Sequence, residues 1–60
     1  MEKPCVKIIG ITDPIHLIGL TIKSLIEHGN YERANEFKNR AIGRSYDYIV
    51  RLINEYAKVI

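Results

Sequence analysis

Cys5-Val6-Lys7-Ile8-Ile9-Gly10-Ile11 (CVKIIGI) is a β-forming run at the head of a chain whose remaining residues read mostly as helix. A strand carries a row of backbone donors and acceptors that must be paired. In 60 residues few internal segments can supply that pairing. The expected mate is a second copy of the chain, which makes a homo-oligomer the first structural expectation. Val6 and Ile8, on one side of the run, are then expected at the interface.

A domain of this length buries only about 60% of its unfolded surface and is marginal without a staple or a partner. Cys5 is the single cysteine, so no disulfide can form within the chain. His16 and His28 stand 12 apart with no ligand-like Cys or carboxylate spacing around them, which gives no zinc pattern. Association is therefore the expected source of extra burial. A hydrophobic content of 47% supplies a core and is too high for a disordered chain. The longest apolar stretch, Ile15 to Ile22, is interrupted by His16, Gly19 and Thr21 and is too short to span a bilayer. A cytoplasmic protein that does not enter membranes is expected, and the lone thiol fits a reducing compartment.

Beyond the first run, Asp13-Pro14 is a helix start: the carboxylate can accept the free amides of the first turn, and proline at the first helical position has its φ preset. The first helix is expected from Pro14 to His28. Its apolar residues, Ile15, Leu17, Ile18, Leu20, Ile22, Leu25 and Ile26, occupy more than one stripe, so it should be buried on most of its circumference. Gly19 weakens this helix, and close approach of a second backbone, from the strand or from another subunit, is the expected reason.

Gly29-Asn30 reads as a two-residue joint, and a second helix follows from Tyr31 to Ile42 with Tyr31, Ala34, Phe37 and Ala41 on one side. Gly43 ends it. Ser45 caps a third helix, Tyr46 to Ala57, whose stripe of Ile49, Leu52, Ile53, Tyr56 and Ile60 is the clearest periodicity in the chain. Residues 56–60 also alternate and suit either a helix end or a short strand beside the first. The fold class expected is α+β, mostly helical: one amino-terminal strand, three short helices and a candidate carboxy-terminal strand in a single domain.

Gly29-Asn30-Tyr31-Glu32-Arg33-Ala34 with the later Ala41 resembles the centre of a tetratricopeptide unit, where an αα-hairpin turns at glycine and keeps small alanines seven apart. The likeness spans residues 25–42 and departs from the family pattern at Lys38 and Ile22. It implies a helical hairpin. The whole chain, with its opening strand, its Thr12-Asp13-Pro14 helix start and its Ser45-Tyr46-Asp47 helix start, resembles short phage and prophage proteins of unassigned function. That resemblance implies a protein that binds and blocks, or sequesters, a host component. Val6 to Leu20 is also similar to the opening of flavin-dependent thymidylate synthases, but their arginine-histidine-arginine flavin motif is absent.

Catalytic chemistry is thinly represented. His16 and Cys5 lack a neighbouring base or acid, and His28 suits the carboxy-terminal end of a helix, where the dipole favours a cation. The four glycines are scattered singly and form no phosphate-binding loop. No enzyme activity, cofactor or metal is expected. Net charge is +2, and the basic excess lies between Lys38 and Arg51, where Lys38, Arg40, Arg44 and Arg51 face only Asp47. Beside Tyr46 these bases form a candidate anion site for a phosphate-bearing, nucleotide-like ligand, with nucleic acid a weaker candidate. Glu36 to Arg40 and Asp47 to Arg51 are equally readable as acid-before-base pairs of a solvated helix. Four tyrosines in 60 residues suit interfaces. Tyr46 and Tyr48 cannot share one core stripe, so one of them is expected either at a subunit or partner contact or packed in the first turn against helix one. The leading functional expectation is a non-enzymatic, homo-oligomeric interaction protein that blocks a host protein; the alternative is a homo-oligomer that holds a phosphate-bearing ligand.

Overall fold

A computed structural model describes residues 3–60. The order of elements is β1 (Cys5–Val6), α1 (Pro14–Glu27), α2 (Tyr31–Ala41), α3 (Tyr46–Tyr56) and β2 (Lys58–Val59). The α+β, mostly helical class read from the sequence is the class observed.

The first strand does not stand alone. β1 pairs in parallel with β2, with Cys5 opposite Lys58 and Val6 opposite Val59. The Lys58 amide donates to the Pro4 carbonyl at 2.7 Å and the Ile60 amide to the Val6 carbonyl at 2.9 Å. An in-chain mate removes the unpaired strand as a reason for association. The strand is also shorter than Cys5 to Ile11, because Gly10 turns the backbone with φ 84° and the Ile11 amide closes the turn on the Ile8 carbonyl. Val6 is 2% exposed and belongs to the core of the single chain, which removes it as a contact residue, while Ile8 packs half-buried against that core.

The helices start where their caps dictate. Asp13 accepts from the Ile15 amide at 2.9 Å, and Ser45 from the Tyr48 amide at 3.3 Å. Asp13→Ala should lower stability by about 1 kcal/mol; an unchanged urea midpoint would show that this cap contributes nothing. α1 ends in a Schellman motif: the Asn30 amide reaches the Leu25 carbonyl, the Gly29 amide reaches the Ile26 carbonyl, and Gly29 has φ 75°. Asn30 sits at the amino-terminal cap of α2 without a side-chain cap bond. His28 Nδ1 lies 3.0 Å from the Ser24 carbonyl, at the carboxy-terminal end of α1.

The core is built from Leu17 and Leu25 of α1, Ala34, Phe37 and Ala41 of α2, and Ile49, Leu52, Ile53 and Tyr56 of α3, closed below by Val6 and Ala57. Thr21, the buried polar side chain of α1, is satisfied by the Leu17 carbonyl one turn back. α1 is not buried around most of its circumference. Leu17, Thr21 and Leu25 form one buried stripe, whereas Ile15 is 77% and Ile26 42% exposed. Two helices and a two-residue ladder can cover only one side of α1. Gly19 faces open space, with nothing within 4 Å of where a Cβ would stand, and its φ is not positive. The strand therefore does not explain it, although glycine in mid-helix costs about 1 kcal/mol relative to alanine. On α2, Tyr31 leaves the expected apolar side and is 66% exposed.

Candidate interaction face

The outer side of the α2–α3 seam gathers the arginines of the chain. Arg33 and Arg40, seven apart on α2, share one helical stripe, and both stand over the ring of Tyr56 from α3, at 4.7 and 5.8 Å from its centroid. Arg44, in the joint between the helices, stands 5.1 Å over the ring of Tyr48. Arg51 is exposed one turn beyond Tyr48 on α3. Arg33, Arg40 and Arg44 thus fall along one seam, and Arg51 lies on the same helical stripe of α3 as Tyr48 and Glu55.

Three of these side chains are held in place. The Tyr56 ring is buried, and its hydroxyl emerges at the seam, where it donates to Glu36 and accepts from Arg40 Nη1 at 3.0 Å. Burial, and then the bond to the Glu36 carboxylate, push the Tyr56 phenol above its ordinary value of 10.0. The bond to the Tyr56 hydroxyl raises the Arg40 guanidinium above its ordinary value. Arg40 also lies 3.6 Å from Glu55 Oε2, an exposed pair that adds little by itself. Arg33 donates to the Glu55 carbonyl at 3.2 Å. The result is a polar lid over the Phe37–Tyr56 contact in which two guanidinium groups stand over one aromatic ring.

At the end of the seam, Gly43 with φ 78° and the Ser45 cap fix the turn that carries Arg44. Ile42 is 58% exposed there. Tyr46 points the other way, its hydroxyl donating to the Ile11 carbonyl at 2.8 Å, so it clasps the segment between β1 and α1. Tyr48 remains on the outer face, partly exposed under Arg44.

Of the residues that the sequence singles out, Arg40, Arg44, Arg51 and Tyr48 share this face. Lys38 does not join them; it borders a groove between α1 and α2 with Ile22, Ile26, Tyr31, Ala34 and Asn35. Arg33, Glu36, Glu55 and the Tyr56 hydroxyl belong to the face and were not read from the sequence. The seven-residue spacing of Arg33 and Arg40 was the available signal. Among the described residues no three His, Cys, Asp or Glu side chains converge as metal ligands, and no helix is long and apolar enough to cross a membrane.

What such a face can do is bind. Tyrosine and arginine are the residue types that dominate binding energy at protein interfaces, and arginine presents two-pronged donors to carboxylates and phosphates. No family model, no curated protein and no solved structure matches the chain.

Proposed function

We propose that this is a non-enzymatic interaction protein that docks a partner protein on the α2–α3 face, acting as an accessory factor that occupies and blocks a surface of a host protein. The observation that supports the reading is Arg44 held over the ring of Tyr48, with Ile42 exposed two residues before Arg44 in the same joint. An arginine plane, an aromatic ring and an aliphatic side chain are combined on a turn fixed by a positive-φ glycine and a helix cap. Such a surface is ordered before contact, which lowers the entropy lost on binding.

A second reading rests on the same arginine. No carboxylate lies within ion-pair distance of Arg44 among the described residues, so its N–H groups are available to a phosphate group while the guanidinium stands over Tyr48. In this reading the protein sequesters a phosphate-bearing small molecule.

One set of measurements separates the two. With the chain as bait, a partner retained through this face should be lost in Arg44→Ala and in Tyr48→Ala, each weakening binding roughly 30-fold or more, as residues at the centre of an interface do. Circular dichroism should match the unsubstituted chain, because both side chains are exposed. Retention that survives both substitutions would end the reading. A protein contact should also tolerate added salt, whereas calorimetric titration with inorganic phosphate or a nucleotide should show affinity that falls steeply as salt rises.

A further inference from the structure

We propose that the exposed side of α1 is a self-association surface, on which a second copy of the chain packs its own α1 antiparallel to the first. This does not depend on the α2–α3 face. Ile15, Gly19, Ile22 and Ile26 fall within about 60° of arc at 3.6 residues per turn. They lie beside the buried stripe of Leu17, Thr21 and Leu25, not on it. Ile15 and Ile26 are exposed, Ile22 is half-buried, and Gly19 opens directly to solvent.

The spacing of the four residues is 4, 3, 4, which reads the same in both directions. When two identical helices carrying it lie antiparallel about the midpoint between Leu20 and Thr21, Ile15 of one meets Ile26 of the other, at both ends. Ile22 of one then meets Gly19 of the other, twice, about the centre. These are the layers of an antiparallel helix pair in which each side chain enters a gap on the facing helix. Gly19 supplies the gap. Within the single chain neither a positive φ nor a close neighbour accounts for this glycine, whereas an isoleucine seated on it does.

The patch has the size of a weak, reversible contact. α1 is about 21 Å long, and the adjoining groove of Ile22, Ile26, Tyr31, Ala34, Asn35 and Lys38 extends the surface onto α2, to a width of about 20 Å. In projection that is about 420 Å² from each partner, below the roughly 600–1,000 Å² of a stable interface and within the range of weak, reversible ones. Tyr31, at the margin of that groove, adds apolar area with a polar tip.

The test uses the whole chain in sedimentation equilibrium and in disulfide trapping. The unsubstituted protein should show a monomer–dimer equilibrium, and Ile15→Asp and Gly19→Leu should each raise the dissociation constant at least 10-fold with helical circular dichroism retained. Both positions are exposed in the single chain, so neither change should unfold it. For orientation, Ile15→Cys and Ile26→Cys are made as separate variants in a Cys5→Ser background. Mixed together, the two variants should cross-link rapidly to each other, and each should cross-link only slowly to itself. A monomer up to millimolar concentration, a dimer indifferent to both substitutions, or preferential homodimer trapping would each overturn the proposal.

Discussion

Phe37→Ala is expected to remove the cooperative thermal transition of the chain, or to lower its midpoint by at least about 12 °C. Phe37 is fully buried and meets Tyr56 edge to face, with ring centroids 5.5 Å apart and planes at 71°. It is the one large side chain that α2 places in the core, since Ala34 and Ala41 are its companions on the same stripe. No neighbour on α2 can swing into the space it would leave. Truncating a buried aromatic residue costs about 3–5 kcal/mol. A domain of 60 residues has about 3–9 kcal/mol in all, so the loss is comparable to the whole. Melts followed by circular dichroism, at matched protein concentration so that any self-association is held constant, decide it. A cooperative transition within a few degrees of the parent would mean that the three helices are not held by this contact.

The parts of the fold that were legible in the sequence are those fixed by local chemistry. Asp13-Pro14, Gly29 and Ser45 mark helix ends because caps and left-handed turns are decided within a few residues. α3 was legible because Ile49, Leu52, Ile53 and Tyr56 recur at one period on a helix whose other residues, apart from Val50, carry a polar group. β1 is shorter than its β-forming run because pairing is set by the mate, and β2 offers only two residues in register. The burial of α1 was overestimated for a related reason. Periodicity shows which residues are apolar, and the number of neighbouring elements decides which are covered.

The interaction face shows the same division. Arg40, Arg44 and Arg51 stood out as a local excess of charge, but their arrangement depends on α2 lying against α3. Glu36 and Arg40 read as an i,i+4 pair of a solvated helix, and they meet instead through a hydroxyl that arrives from Tyr56, 16 residues beyond Arg40. Arg33 was overlooked because its partner, the Tyr56 ring, lies far along the chain on another helix. Lys38 lies close to Arg40 in sequence but in a different stripe of α2, and helical geometry sends it to the α1 side.

Tyr56 is the residue on which core and face both depend, and two substitutions separate its contributions. Tyr56→Ala should cost about 3–5 kcal/mol, because it removes the ring that Phe37 packs against and that Arg33 and Arg40 cover. Tyr56→Phe keeps the ring and should cost about 1–2 kcal/mol. The hydroxyl's two bonds go to charged groups, and Glu36 and Arg40, both exposed, recover water as partners when it is gone. The phenol is also a proton-linked contributor with a definite sign. Its value is raised in the folded chain by burial and by the Glu36 carboxylate, so above pH 10 the unfolded chain releases the proton before the folded one does. Stability from this group is therefore complete below about pH 10 and declines as pH rises through the folded value. The gap in unfolding free energy between the parent and Tyr56→Phe should be constant across neutral pH and narrow above about pH 10, measured by urea titration at a series of pH values. A gap that held between about pH 10 and 11 would mean that the hydroxyl is solvated as in the unfolded chain, and one that widened would mean that Arg40, which favours the phenolate, outweighs burial and Glu36.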